Sequence, residues 1–231
     1  MAKKSSSSDA VVAPMVAIIG TSTSGNEWML ATENLPEESE GLWKCELYRL
    51  MVEKSAALIE GRFGMKLCNV HLVSGGAAWS DHVAVTLFLE DRVAGLTLYL
   101  PCPWKTGEPP SFASNGSRSW KTNPGWLAND RHQSFSVEIG RHTLREIEAA
   151  RLKGARIVTD YSGFHARNSA IAKNAERLIA FTWGADVAPA AGGTLDTWKK
   201  ARCEKVHVSL GELVLGPVER KKVECDCSFF H

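Results

Sequence analysis

The sequence predicts an α/β fold: a doubly wound, mostly parallel sheet flanked by helices. Two observations lead there. Short apolar runs of strand length alternate with longer segments of helical periodicity, the order that builds a parallel sheet through crossover connections. Three of those runs also end in loops of glycine and hydroxyl residues: Gly20-Thr21-Ser22, Ser74-Gly75-Gly76 and Gly192-Gly193-Thr194. In a doubly wound sheet such loops gather at the carboxyl edge, where ligands bind.

Met15 to Ile19 reads as the first strand, and its loop runs from Gly20 to Gly25. Leu42 to Ile59 carries Leu47, Leu50, Met51, Ala57 and Leu58 at roughly helical spacing, which predicts a helix. Leu67 to Val73 is the second strand. A helix follows over about Ser80 to Asp91, with Val83, Ala84, Leu87 and Phe88 as its apolar stripe. Leu96 to Leu100 is the third strand, stopped by Pro101 and Pro103.

The stretch at about 101–135 reads as a loop insertion, rich in Pro, Gly, Ser, Asn and Trp. A loop of that length inside a domain is usually functional or mobile. Trp104, Trp120 and Trp126 either stack on a base or anchor the loop; their large apolar surface favours anchoring. Ser136 to Leu152 then reads as a helix, Arg156 to Thr159 as a short strand, and Arg167-Asn168 as the start of a helix reaching about Glu176.

Arg177 to Trp183 is apolar at five of seven positions. Such a run predicts a strand buried on both faces. Gly192-Gly193-Thr194 opens a helical segment from Leu195 to Arg202. Paired glycines let backbone approach a ligand, and free N–H groups at a helix start attract phosphate. Thr194 offers its hydroxyl to a phosphate oxygen or to the helix as N-cap. A plain strand-to-helix turn explains this one motif as well; three such loops on one edge argue for a phosphate-bearing ligand. Lys205 to Leu210 is the last strand. One domain over 13–212 therefore stands between a polar, serine-rich tail (1–12) expected to be disordered and a charged C-terminal tail (213–231).

Composition excludes several function classes. A net charge of +1 argues against a nucleic-acid partner. Six scattered cysteines lack the pattern of a disulfide scaffold, which fits a reducing, cytoplasmic location. No stretch is long and apolar enough to span a membrane, and the N-terminal residues lack the apolar segment of a secretory signal. His71, His82, His165 and His207 have no metal-ligand spacing, and Cys225, Cys227 and His231 lack a fourth ligand. No cofactor and no metal are expected. The G-x-G-x-x-G and G-x-x-x-x-G-K-[ST] loops are absent, which excludes an ordinary dinucleotide dehydrogenase or P-loop enzyme.

Ser74-Gly75-Gly76-Ala77-Ala78-Trp79-Ser80-Asp81 resembles the S-G-G-A-x-x-x-D element of the SLOG superfamily, the Rossmann-like relatives of Smf/DprA and of the LOG phosphoribohydrolases. Arg167-Asn168, Leu178-Ile179-Ala180-Phe181 and Gly192-Gly193-Thr194 are similar to its R-N…I-A-F…G-G-T order. With Gly20-Thr21-Ser22, the likeness spans most of Met15 to Leu210 and leaves out the insertion and both tails. It implies a nucleotide or nucleotide-derived ligand held by Gly20, Thr21, Ser22, Ser74, Gly75, Gly76, Arg167, Asn168, Gly192, Gly193 and Thr194. It also implies a homo-oligomer. Arg167 pairs with phosphate or with a nearby carboxylate; Asp81 holds a ribose hydroxyl or caps the first helical turn.

Members that cleave an N-glycosidic bond need a carboxylate near the sugar. Asp81 and Asp196 are the catalytic candidates, with Asp160 a third carboxylate in reach of the argument. The LOG enzymes resemble P-G-G-x-G-T-x-E-E where this chain has Asp196 and Thr197. That departure leaves two readings: a binding module acting as sensor or effector, or a hydrolase of a nucleoside monophosphate or related ligand.

Overall fold

Six parallel strands form the central sheet. The computed structural model describes residues 13–22 and 40–214; the predicted N-terminal tail, most of the first glycine loop beyond Ser22, and the Cys225–Cys227 tail lie outside the described residues. In chain order the elements are β1 (Met15–Gly20), α1 (Glu40–Ala57), β2 (His71–Ser74), α2 (His82–Leu89), β3 (Gly95–Tyr99), β4 (Trp104–Lys105), β5 (Ser111–Phe112), α3 (Pro124–Ile139) and α4 (Thr143–Leu152). Then come β6 (Arg156–Val158), α5 (Phe164–Asn174), β7 (Arg177–Thr182), α6 (Gly192–Lys200) and β8 (Glu204–Ser209). The sheet order is β6-β3-β2-β1-β7-β8, every pair parallel. The chain runs outward from β1 to β6, then returns to pair β7 on the other side of β1. The strand order thus reverses between β1 and β7, which is where doubly wound sheets open a crevice.

Alternation along β1 explains its continuous apolar run. Val16 and Ile18 face one core, shared with Leu47 and Met51 of α1 and Ile147 of α4. Ala17 and Ile19 face the other, shared with Ala170 and Ile171 of α5. Both faces are covered, so neither needs polar residues. Helix α2 goes further: every residue from His82 to Phe88 is buried, not only the predicted stripe. Its two polar members are partnered. Thr86 Oγ1 lies 2.7 Å from Tyr48 Oη, and His82 Nε2 lies 2.7 Å from Glu146 Oε2.

The insertion differs from its reading as a loop. Residues 101–135 include the antiparallel pair β4–β5 and most of α3. Asn123 is the N-cap of α3, its side chain accepting from Trp126 N at 3.3 Å, and Pro124 takes the first turn. Gly140, at φ 66°, ends the helix. The single helix expected over Ser136 to Leu152 is therefore two, α3 and α4, broken at that glycine. Trp104 does anchor: its Nε1 donates to Glu148 Oε2 at 2.8 Å, and its ring meets Phe112 edge-on. Leu67 to Asn69 is a 3-10 turn rather than the start of β2, because the chain must drop Leu67 into the core before joining the sheet. Among the described residues no helix is long and apolar enough to cross a membrane.

Candidate functional site

A cleft of about 680 Å³ opens at the carboxyl edge of the sheet, above the β1/β7 reversal. The loops after β1, β2 and β7 all reach it, so the predicted convergence occurs. Gly20 ends β1 against its neighbours: a Cβ there would stand 2.1 Å from the Phe181 carbonyl oxygen and 2.5 Å from Ser80 Oγ. Thr21 N donates to Phe181 O at 2.9 Å, and Thr21 O accepts from Ser80 N at 3.3 Å. Thr21 and Ser22 line the cleft.

The second loop does something its sequence did not reveal. A Cβ on Gly75 would fall 1.3 Å from Arg167 Nη1. The missing side chain makes room for a guanidinium of this same chain, so the close approach expected for a ligand is used by Arg167. Arg167 Nη1 donates to Asp81 Oδ2 at 3.0 Å. Asp81 Oδ2 also accepts from Ala77 N at 3.3 Å, and Asp81 is 3% exposed. Arg167 is itself 9% exposed, its Nε is buried with no protein partner, and its guanidinium carbon sits 5.5 Å from the Phe164 ring centre. Both members of the pair line the cleft floor.

Ser74, expected as a ligand contact, serves as an internal tie in this structure. It is fully buried, does not line the cleft, and donates to Ile18 O at 2.7 Å and Asp81 O at 3.1 Å. Gly76 lines the cleft at φ 64°, a left-handed conformation that favours glycine. Its carbonyl accepts from His132 Nε2 at 3.0 Å. His132 Nδ1 lies 3.0 Å from Thr143 Oγ1. A carbonyl only accepts, so Nε2 carries the proton. Burial pushes the His132 pKa down to about 3, with nearby His82 adding to the effect. Burial likewise lowers His82 against the pull of Glu146. The His132 ring is neutral under the loop.

The third loop delivers a helix N-terminus. Helix α6 begins at Gly192, φ 73°, and its N-cap is Ala191, with no side-chain cap. Thr194 is therefore in the first turn and is not the N-cap. Gly192, Gly193 and Thr194 line the cleft, so the first N–H groups of α6 stand at its wall without a capping side chain. Asn168 ties α5 to this turn by donating from Nδ2 to Gly193 O at 3.2 Å and to Asp196 Oδ2 at 3.4 Å.

Asp196, the second catalytic candidate, does not line the cleft. Its carboxylate faces Lys200 Nζ at 2.9 Å and His165 Nδ1 at 3.5 Å. Burial raises its pKa, but hydrogen bonds from Lys200, Asn168 and His165 outweigh that and hold it below the ordinary value. Asp160 is exposed and lies in a separate hollow. Among the described residues, Asp81 is the one acidic side chain lining the cleft.

Of the far wall, the sequence reading named Trp120 alone, to stack on a base or to anchor the loop. Phe112, Trp120, Leu127, Arg131 and Phe164 line that wall, and all but Phe164 come from the stretch read as a loop. The signal for Leu127 and Arg131 was the Asn123-Pro124 start of α3. It also missed Trp79, buried at φ 58° under the second loop, with Nε1 donating to Glu138 Oε2 at 3.0 Å.

No family model matches the sequence. It is similar to "Uncharacterized protein R261" of Acanthamoeba polyphaga mimivirus, with 36% identity over 166 residues that cover 71% of this chain and 84% of the viral protein. At that identity and coverage, the chain belongs to the same family as this mimivirus protein.

Proposed function

We infer that the chain binds a nucleotide or nucleotide-derived ligand in this cleft, as a SLOG-like sensor or effector. One observation carries the reading. A buried arginine that lines the cleft, its Nε without a protein partner, stands with an uncapped, glycine-opened helix N-terminus on the same cleft. Both features favour an anion, and phosphate most of all. The motif order Gly20-Thr21-Ser22, Ser74-Gly75-Gly76, Arg167-Asn168, Gly192-Gly193-Thr194 supports the superfamily assignment.

The hydrolase reading rests on Asp81. A carboxylate that stabilises a sugar cation or orients water needs a free oxygen facing the sugar. Asp81 Oδ2 already accepts from Arg167 and Ala77, and Asp196 is turned to Lys200. Binding without cleavage is therefore the preferred function. The superfamily likeness also carries the expectation of a homo-oligomer, and the cysteine pattern that of a cytoplasmic location.

A thermal-shift screen against nucleoside monophosphates, NAD, ADP-ribose and cyclic nucleotides tests this, each mixture being analysed afterwards by chromatography. Ligand at a hundred times its Kd adds about 2.7 kcal/mol, which raises Tm by roughly 5–10 °C for a chain of this size. A raised Tm with intact ligand supports the binding module. Release of free base establishes the hydrolase, and no shift with any ligand sinks the nucleotide reading.

A further inference from the structure

The superfamily likeness stops at the insertion, yet the insertion builds one wall of the cleft. Trp120 is 43% exposed. Its ring centre lies 6.3 Å from that of Phe164, tilted by 47°. Phe164 in turn carries the Arg167 guanidinium at 5.5 Å. An aromatic edge thus runs from the cleft floor outward to Trp120, where Lys121 Nζ sits 5.6 Å from the ring centre.

Helix α3 adds Leu127 and Arg131 beside this edge. The two cleft arginines differ in one respect. Arg167 has a carboxylate, Asp81. Arg131 is half-buried in a largely apolar wall and forms no ion pair among the described residues. A partly desolvated guanidinium without a carboxylate of its own suits an anionic group of a ligand.

We propose that the insertion forms a second anion subsite centred on Arg131, with Trp120 as the stacking surface for the base. The cleft then takes a nucleotide with two phosphates set apart on the ribose, rather than a nucleoside monophosphate. One phosphate meets the α6 N-terminus and Arg167; the other meets Arg131. The proposal rests on the nucleotide reading above and narrows it to a ligand class.

Titration calorimetry on the full chain tests it. The probes are the 5′-monophosphate, the 5′-diphosphate and the 3′,5′-bisphosphate of each of the four common nucleosides. For the base that binds, the bisphosphate should bind about tenfold tighter than the monophosphate, as expected for one charge-assisted contact. Arg131→Gln should erase that advantage and leave the monophosphate affinity within about twofold. Trp120→Ala should weaken both ligands together, by about fivefold or more, as loss of base stacking does. The 5′-diphosphate carries the same added charge in the wrong place, so Arg131→Gln should not change its affinity. Monophosphate binding with no bisphosphate advantage, or an advantage that survives in Arg131→Gln, overturns the second subsite and leaves the nucleotide reading standing. Failure of every probe to bind the folded wild type overturns the second subsite, and the thermal-shift screen with NAD, ADP-ribose and cyclic nucleotides then decides the nucleotide reading separately.

Discussion

His132 Nε2 donates to the carbonyl of Gly76 at 3.0 Å, from a ring with no exposed surface. This bond turns the Gly76–Ala77 peptide so that its carbonyl points into the core, while Ala77 N reaches Asp81 at 3.3 Å. A histidine from the insertion therefore holds the loop that holds the Asp81–Arg167 pair. Replacing it leaves the Gly76 carbonyl without its donor. His132→Ala should destabilise the fold by about 2–4 kcal/mol, combining an unsatisfied buried group with a cavity. Urea denaturation measures this; a loss under 1 kcal/mol would show that water or a neighbour replaces the bond.

The same histidine predicts a pH profile. Its pKa is about 3 when folded and about 6.5 when unfolded. The unfolded chain binds the extra proton first, so stability is fully present above about pH 6.5 and is lost as pH falls toward 3. His82 is lowered as well and acts in the same sense. Each contributes a slope of up to about 1.4 kcal/mol per pH unit within its window. Melting between pH 7 and pH 4 should show the decline, and it should be shallower in His132→Gln. An unchanged slope in that variant would contradict the assignment.

Gly75→Ala should displace Arg167, because the new methyl would occupy its Nη1 position. The expected cost is about 1–3 kcal/mol of overpacking, together with a loss of anion affinity of about tenfold or more. Calorimetry beside denaturation separates the two. Wild-type affinity in a stable Gly75→Ala variant would mean that Arg167 takes no part in binding.

Arg167→Met should destabilise by about 3–5 kcal/mol, since it strands Asp81 as a buried charge. Adding Asp81→Asn should restore part of that loss. A double-mutant cycle should return a coupling above about 1 kcal/mol. Strict additivity would show that the 3.0 Å contact carries no net energy.

Asp196→Asn should leave ligand affinity within about twofold, because the side chain faces Lys200 and does not line the cleft. A large loss of binding, or of base release in a turnover assay, would return Asp196 to the catalytic role that its place after Gly192-Gly193-Thr194 suggests.

The sheet was legible in the chain because strands buried on both faces write continuous apolar runs. Leu178-Ile179-Ala180-Phe181, with all four residues buried, is the clearest. The converging loops were legible too, since a parallel sheet carries every strand's carboxyl end to one edge. Local spacing determined those features. It did not determine why Gly75 is glycine: the group filling that space belongs to Arg167, far along the chain, and such a contact exists only once α5 packs across the sheet. Nor did it show that His132 sits under Gly76, or that a stretch rich in Trp, Asn, Pro and Gly folds into a helix walling the cleft. Those residues pack against the body rather than against their own neighbours in sequence. Their roles are set by which distant surfaces meet, and tertiary structure alone decides that.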